Sequence, residues 1–270
     1  MRFILPVVAG LLAASACADL PPTEPDAPSL IVNGQPTGGA FGAVGAILYD
    51  FDRNGTADGG EQLCTGTLIA PTIFLTAAHC LAWLPAAAVL QVTFAPDLFA
   101  GPLNAIASAS FTVDPQYRHD RANPHDLAVI ELAAPVNGVT PLSLPPAGHL
   151  DGLAAQGGLR GRNFVNVGYG LSASLTGKPT FGWDGARKMS RSPFQSLRPA
   201  VLSLLMAQRA TQLGGDCYGD SGGPKLLEGD LETIVAVLSW GDTPCRAISV
   251  NYRLDTPSAR AFLGQFVTLP

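Results

Sequence analysis

From residue 43 onward the chain is a succession of apolar and β-branched runs, six to nine residues long, each cut off by Gly, Pro, Asn or Asp. Runs this short and this regularly interrupted read as strands joined by turns. The first group is AVGAILYDF (43–51), QLCTGTLIA (62–70), IFLTAA (73–78), LQVTFA (90–95), ASASFTVD (107–114) and DLAVIEL (126–132). A second group holds FVNVGYG (164–170), AVLSLLMA (200–207), GGPKLL (222–227), TIVAVLSWG (233–241) and SVNYRL (249–254). The Pro- and Gly-rich stretch 135–150 reads as the connector between them. Many short strands are best served by closed sheets, which leave no unpaired edge. The expected fold is therefore all-β, with two six-stranded antiparallel barrels, one over about 31–140 and one over about 141–270. Only DTPSARAFLGQF reads as a helix, with Thr256 as N-cap and Pro257 as its first residue.

Composition agrees with that architecture and narrows the partners. The 270 residues include 30 Gly and 23 Pro, and only 14% are charged, which suits turns and short strands rather than helical bundles or disorder. A net charge of −5 without any Lys/Arg run argues against nucleic acid.

Residues 1–30 stand apart. One basic residue, an apolar stretch from Phe3 to about Ala14 and then small residues make a secretion signal, too short to span a membrane. Cleavage after Ala18 is one reading. The other takes AASAC as a lipoprotein signal, with Cys17 lipidated and the Pro-rich ADLPPTEPDAP as a tether or propeptide. The second reading gives the odd cysteine a use and is favoured because a polar, Pro-rich tether of the kind that holds a domain off a surface follows it. It suggests a bacterial envelope or exterior, with the protein either secreted or held as a lipoprotein. The remaining cysteines, Cys64, Cys80, Cys217 and Cys245, make an even set in an exported chain and suggest two disulfides.

The chemistry centres on CYGDSGGPKL (217–226), which sets Ser221 between an aspartate and two glycines. A serine hydroxyl becomes a nucleophile only when a base takes its proton and a third group holds the base in one tautomer. His79 is the favoured base, because TAAHC ends an apolar run and a disulfide at Cys80 would fix its backbone. Cys64 as the partner of Cys80 would close a short loop across adjacent strands. Asp126, at the entrance to a nearly all-apolar strand, suits the orienting acid. Its neighbour His125 would point to the opposite face of a strand and is the poorer base.

IVNG, GTLIAPTIFLTAAHC, HDLAVIEL, GDSGGP and SWG occur in the order found in the chymotrypsin/trypsin-like serine peptidases, and the chain resembles that family from Ile31 to Pro270. The resemblance implies His79 as base, Asp126 as orienting acid and Ser221 as nucleophile, in a cleft between two six-stranded barrels. It implies that the Gly219 and Ser221 N–H groups form the oxyanion hole, and that Asp220 pairs with a new N-terminus at Ile31 after a zymogen is cut. It also implies that Cys217 and Cys245 brace the specificity pocket, and that Ser239, Trp240 and Gly241 pair with substrate backbone as an added strand.

The chain departs from the pattern in three places. Leu30 precedes Ile31 where trypsin-activated relatives carry Lys or Arg, so a different activating protease is expected. Six positions before Ser221 stands Gly215 rather than an acid, with Asp216 one step further on. A buried Asp216 would draw Lys or Arg, whereas Val250 near the pocket would narrow it toward small or apolar side chains; the second is favoured. Finally, DFDRNGTADGGE (50–61) has calcium-loop spacing, with Asp50, Asp52, Asn54 and Glu61 as oxygen ligands and Gly55 at the turn, inside a hairpin rather than between helices. The plain alternative is a solvated hairpin turn.

The resulting expectation is an exported serine endopeptidase working through an acyl-enzyme, needing no cofactor for catalysis and monomeric. Its rivals are a protease-like binding module without turnover and an esterase using the same triad.

Overall fold

The structure, a computed structural model, describes residues 34–118, 120–174 and 176–270. Cys17, Leu30 and Ile31 lie outside the described residues.

The first barrel uses β2 (Val44–Leu48), β3 (Gln62–Ala70), β4 (Ile73–Thr76), β5 (Gln91–Thr93), β6 (Ile106–Val113) and β7 (Ala128–Leu132). They run in the order β2-β3-β4-β7-β6-β5, and antiparallel pairing of β2 with β5 closes the ring. Ile47, Leu68, Phe74, Leu81, Val92 and Ile130 fill it.

The second barrel uses β8 (Asn163–Gly168), β11 (Lys188–Leu197), β12 (Val201–Leu205), β13 (Pro224–Leu227), β14 (Asp230–Gly241) and β15 (Ile248–Arg253). The order is β11-β12-β15-β14-β13-β8, closed by β8 against β11. The two-residue β1 (Gln35–Pro36) adds to β11, and β9 (Ser172–Ala173) and β10 (Phe181–Gly182) form a small separate ladder. The expected fold of two six-stranded antiparallel barrels is therefore present.

One apolar cluster takes Val44, Leu75, Leu127 and Val129 from the first barrel and Val165, Val167, Leu226, Val237 and Tyr252 from the second. Burying residues of both barrels in one core fixes the cleft between them, because close-packed interiors do not slide freely.

Helices are few and short: α1 (Ala78–Leu81), α2 (His149–Ala155), α3 (Gln208–Thr211) and α4 (Pro257–Leu263). At α4 the Thr256 side chain accepts from the Ala259 N–H and Pro257 opens the first turn, as expected. Among the described residues no helix is long and apolar enough to cross a membrane.

Two elements differ from expectation. β11 is ten residues long, yet its sequence KMSRSPFQSL carries no strand signal. Its inward positions are Lys188, Ser190 and Ser192, all buried, and Asn166 donates to both serine hydroxyls. A strand whose hidden face is polar inverts the alternation on which strand recognition rests. The connector, for its part, holds α2, which starts behind Gly148 and buries only Leu150.

Candidate active site

Catalytic-type side chains are set by how β4 ends. The run IFLTAA does not stay extended; the strand stops at Thr76 and the chain turns into α1, which carries His79. The Cys64–Cys80 disulfide ties α1 to β3. His79 Nδ1 lies 2.8 Å from Asp126 Oδ2, and the His79 backbone N–H donates to Asp126 Oδ1 at 2.8 Å. Asp126 is thus read by both the ring and the backbone of one residue, which fixes the imidazole orientation. A β-bulge in β14 between Leu238 and Trp240 lets Ser239 leave the ladder. Its hydroxyl donates a third hydrogen bond, to Asp126 Oδ2. Asp126 is nearly sealed, with its side chain 3% exposed, while His79 remains 29% exposed toward the cleft.

His125 has a different setting. It is buried at φ +50°, with Nδ1 3.4 Å from Asp114 Oδ2, and its ring packs against Tyr252.

Ser221 sits between the barrels. Its carbonyl accepts from the Thr65 N–H at 3.0 Å and lies 3.9 Å from Cys80 Sγ, and that same sulfur lies 3.9 Å from His79 Nε2. Gly219 has φ +93°, and its carbonyl is held by Gln62 Nε2 and Thr65 Oγ1. Among the described residues no acceptor takes the N–H of Gly219 or of Ser221.

His79 and Ser221 line one cavity of about 340 Å³ whose walls include Met206, Asp216, Leu238, Ser239 and Trp240. The Cys217–Cys245 disulfide forms and belongs to the same wall. Trp240 and Gly241 continue into an adjoining groove beside Tyr117 and Arg118.

Two expectations about that cavity need correction. Gly215 is not part of its lining: Met206 covers it, so closely that a methyl group on Gly215 would overlap Met206 Cγ. Val250 does not narrow the cavity either; it pairs with Ser203 and Trp240 and points into the core, while Ser249 lines the wall. Asp216 does reach the wall, but Lys225 Nζ lies 2.7 Å from its Oδ1. Sequence reading missed Lys225, although a lone cation inside the apolar run GGPKLL is itself a sign of a buried anion.

Asp220 is buried, with Oδ1 accepting from the Gly170 N–H and Oδ2 from the Cys217 N–H. Burial, reinforced by the Asp216 carboxylate, pushes its pKa up to about 7, against the pull of those two N–H groups and Lys225.

The 50–61 loop spans β2 and β3, with a 3-10 turn at Gly59–Glu61. Oxygens of Asp50, Asp52 and Glu61 lie within 4.8 Å of one another. The loop also satisfies them itself: Asp50 accepts from the Asn54 and Gly55 N–H groups, and Glu61 from those of Phe51, Asp52 and Asp58. Asn54 Oδ1 accepts from the Thr56 N–H.

Two closed barrels with a serine, a histidine and a buried aspartate converging between them define the class of the trypsin-fold serine hydrolases. The trypsin family model matches residues 49–261, and the chain belongs to that family. Snake venom serine proteinase 14 of Crotalus adamanteus is 30% identical over 68% of this chain and 69% of its own length. Human granzyme M is 29% identical over 70% and 73%, and trypsin delta of Drosophila melanogaster 25% identical over 86% and 87%. All three relatives are animal proteins, so the bacterial placement rests on the leader sequence alone.

Proposed function

We propose that the chain is an exported serine endopeptidase, made as a zymogen and activated by cleavage before Ile31. The observation that carries the reading is the placement of His79, held by Asp126 through two hydrogen bonds, on the same cavity as Ser221. In this reading His79 Nδ1–H donates to Asp126 while Nε2 takes the Ser221 proton. Ser221 Oγ bonds to the scissile carbonyl carbon, and the oxyanion settles on the Gly219 and Ser221 N–H groups. The C–N bond then breaks, with the proton passing from His79 to the leaving amine. Water repeats the cycle on the acyl-enzyme, with its proton returning through His79 to Ser221.

Support for activation at Ile31 comes from Asp220, a buried carboxylate without an ionic contact of its own among the described residues. The trypsin family needs no cofactor for this chemistry. A calcium ion in the 50–61 loop would be structural, held by Asp50, Asp52, Asn54 and Glu61, whose all-oxygen donor set suits a hard cation.

Intact mass before and after a fluorophosphonate reagent tests the enzyme. A chain starting at Ile31 should gain one adduct, lost in Ser221→Ala. An activated chain that refuses the reagent would favour the binding-module alternative, and turnover of esters but not peptides would favour the esterase.

A further inference from the structure

Resting on the peptidase reading, we propose that the pocket for the residue preceding the cleaved bond has a neutral floor and selects an uncharged, apolar side chain such as Leu, Met or Phe. Lys225 sets this preference by masking Asp216. Two acids line the cavity, Asp216 and Asp242. The Asp242 carboxylate keeps its charge but is held in its own turn, accepting the N–H groups of Arg246, Ala247 and Ile248. Asp216 is the other acid that could recruit a basic substrate, and among the described residues it alone of the two has a cationic partner.

Asp216 is unavailable for two reasons. Its Oδ1 is engaged by Lys225, whose side chain is 0% exposed and has no route to solvent. Lys225 is fixed in the middle of β13, opposite Asn166 of β8 and Ala236 of β14. The Oδ2 of Asp216 has no hydrogen-bond partner yet is itself sealed from solvent. Met206 sits over this stretch, with its sulfur 3.2 Å from the Asp216 nitrogen. An entering side chain therefore meets Met206, Leu238, Trp240 and the Cys217–Cys245 disulfide beside an Asp216 whose carboxylate is already paired with Lys225. A substrate Lys or Arg would bring a second cation to a carboxylate already neutralised, where little water screens the repulsion. An apolar side chain loses nothing there and removes hydrocarbon from water.

Peptides varied only at that position, assayed on active-site-titrated enzyme, test the proposal. Leu, Met or Phe should exceed Lys and Arg in kcat/KM by about 100-fold or more. In Lys225→Met the unmasked Asp216 should raise Lys and Arg about tenfold or more relative to Leu. Should that variant not fold, Asp216→Asn/Lys225→Met restores a neutral floor and should keep the apolar preference. Wild-type preference for Lys or Arg, an unchanged profile in folded Lys225→Met, or a gain for basic residues in the double variant would each overturn the proposal. Titration by the fluorophosphonate separates this failure from that of the peptidase reading: a labelled enzyme that prefers basic residues is still a peptidase.

Discussion

Gly222 stands against Thr76 so closely that a methyl group on it would overlap Thr76 Oγ1 and lie 2.7 Å from the Ala77 nitrogen. Thr76 ends β4 and Ala77 leads into the helix that carries His79, so this contact helps set how near Ser221 comes to His79. The φ of +78° at Gly222 adds a second reason for glycine. Gly222→Ala should therefore cost about 2–4 kcal/mol of stability. Folded Gly222→Ala should also react with fluorophosphonate more slowly than wild type. Thermal melting and labelling rate check both, and an unchanged labelling rate would show that the contact does not position the site.

The hydrogen bonds on Asp126 make graded predictions. Asp126→Asn leaves the volume but favours the wrong His79 tautomer, and should lower kcat by about ten-thousand-fold. Ser239→Ala removes one of three donors to the same carboxylate, and should cost only about tenfold, in line with one lost hydrogen bond. Steady-state kinetics with a Leu-preceded peptide decide; equal losses from the two variants would contradict the assignment of His79 orientation to Asp126.

The barrels were legible because most strands hide apolar residues, and QLCTGTLIA coincides with β3 to the residue. β11 was not, because its hidden face is Lys188, Ser190 and Ser192, and nothing local shows that Asn166 of another strand satisfies two of them. The site divides in the same way. Ser221, His79 and Asp126 stand in recognisable local contexts. The pocket depends on contacts distant in sequence, so Met206 covering Gly215 and Lys225 engaging Asp216 could be read only once the chain had folded. Val250 shows the cost of counting positions along a strand: one residue of register exchanges the pocket face for the core face.

Asp220 gives the uncleaved chain a pH signature. Its folded pKa, about 7, lies above the ordinary 3.8. The folded state thus holds more protons than the unfolded state between these values, and stability falls as pH rises through that window. The contribution is fully present below about pH 4 and gone above about pH 7. Denaturant midpoints across this range should show the decline in the uncleaved chain, and Asp220→Asn should flatten it. An identical slope in the variant would assign the effect elsewhere.

Calcium held in the 50–61 loop, as proposed, would make the melting temperature calcium-dependent. Ligand binding stabilises a fold by RT ln(1 + [L]/Kd), so calcium at about 100 times its Kd adds about 2.7 kcal/mol. Melting in calcium against chelator should differ by several degrees, and Glu61→Gln should abolish most of the difference. Equal melting temperatures would leave the loop as a hairpin turn held by its own N–H bonds.

A neutral pocket also changes who can activate the chain. The bond before Ile31 follows Leu30, an apolar residue of the class such a pocket would accept. Active enzyme should therefore cut its own Ser221→Ala precursor in trans between Leu30 and Ile31, with no other protease present. Placing Leu30→Arg in that precursor should slow the cut by about 100-fold, and the Lys225→Met enzyme should recover part of the loss. Intact mass over time follows both. Equal rates for the precursors with and without Leu30→Arg would break the link between the masked carboxylate and activation, and would leave the activating protease to be sought outside this chain.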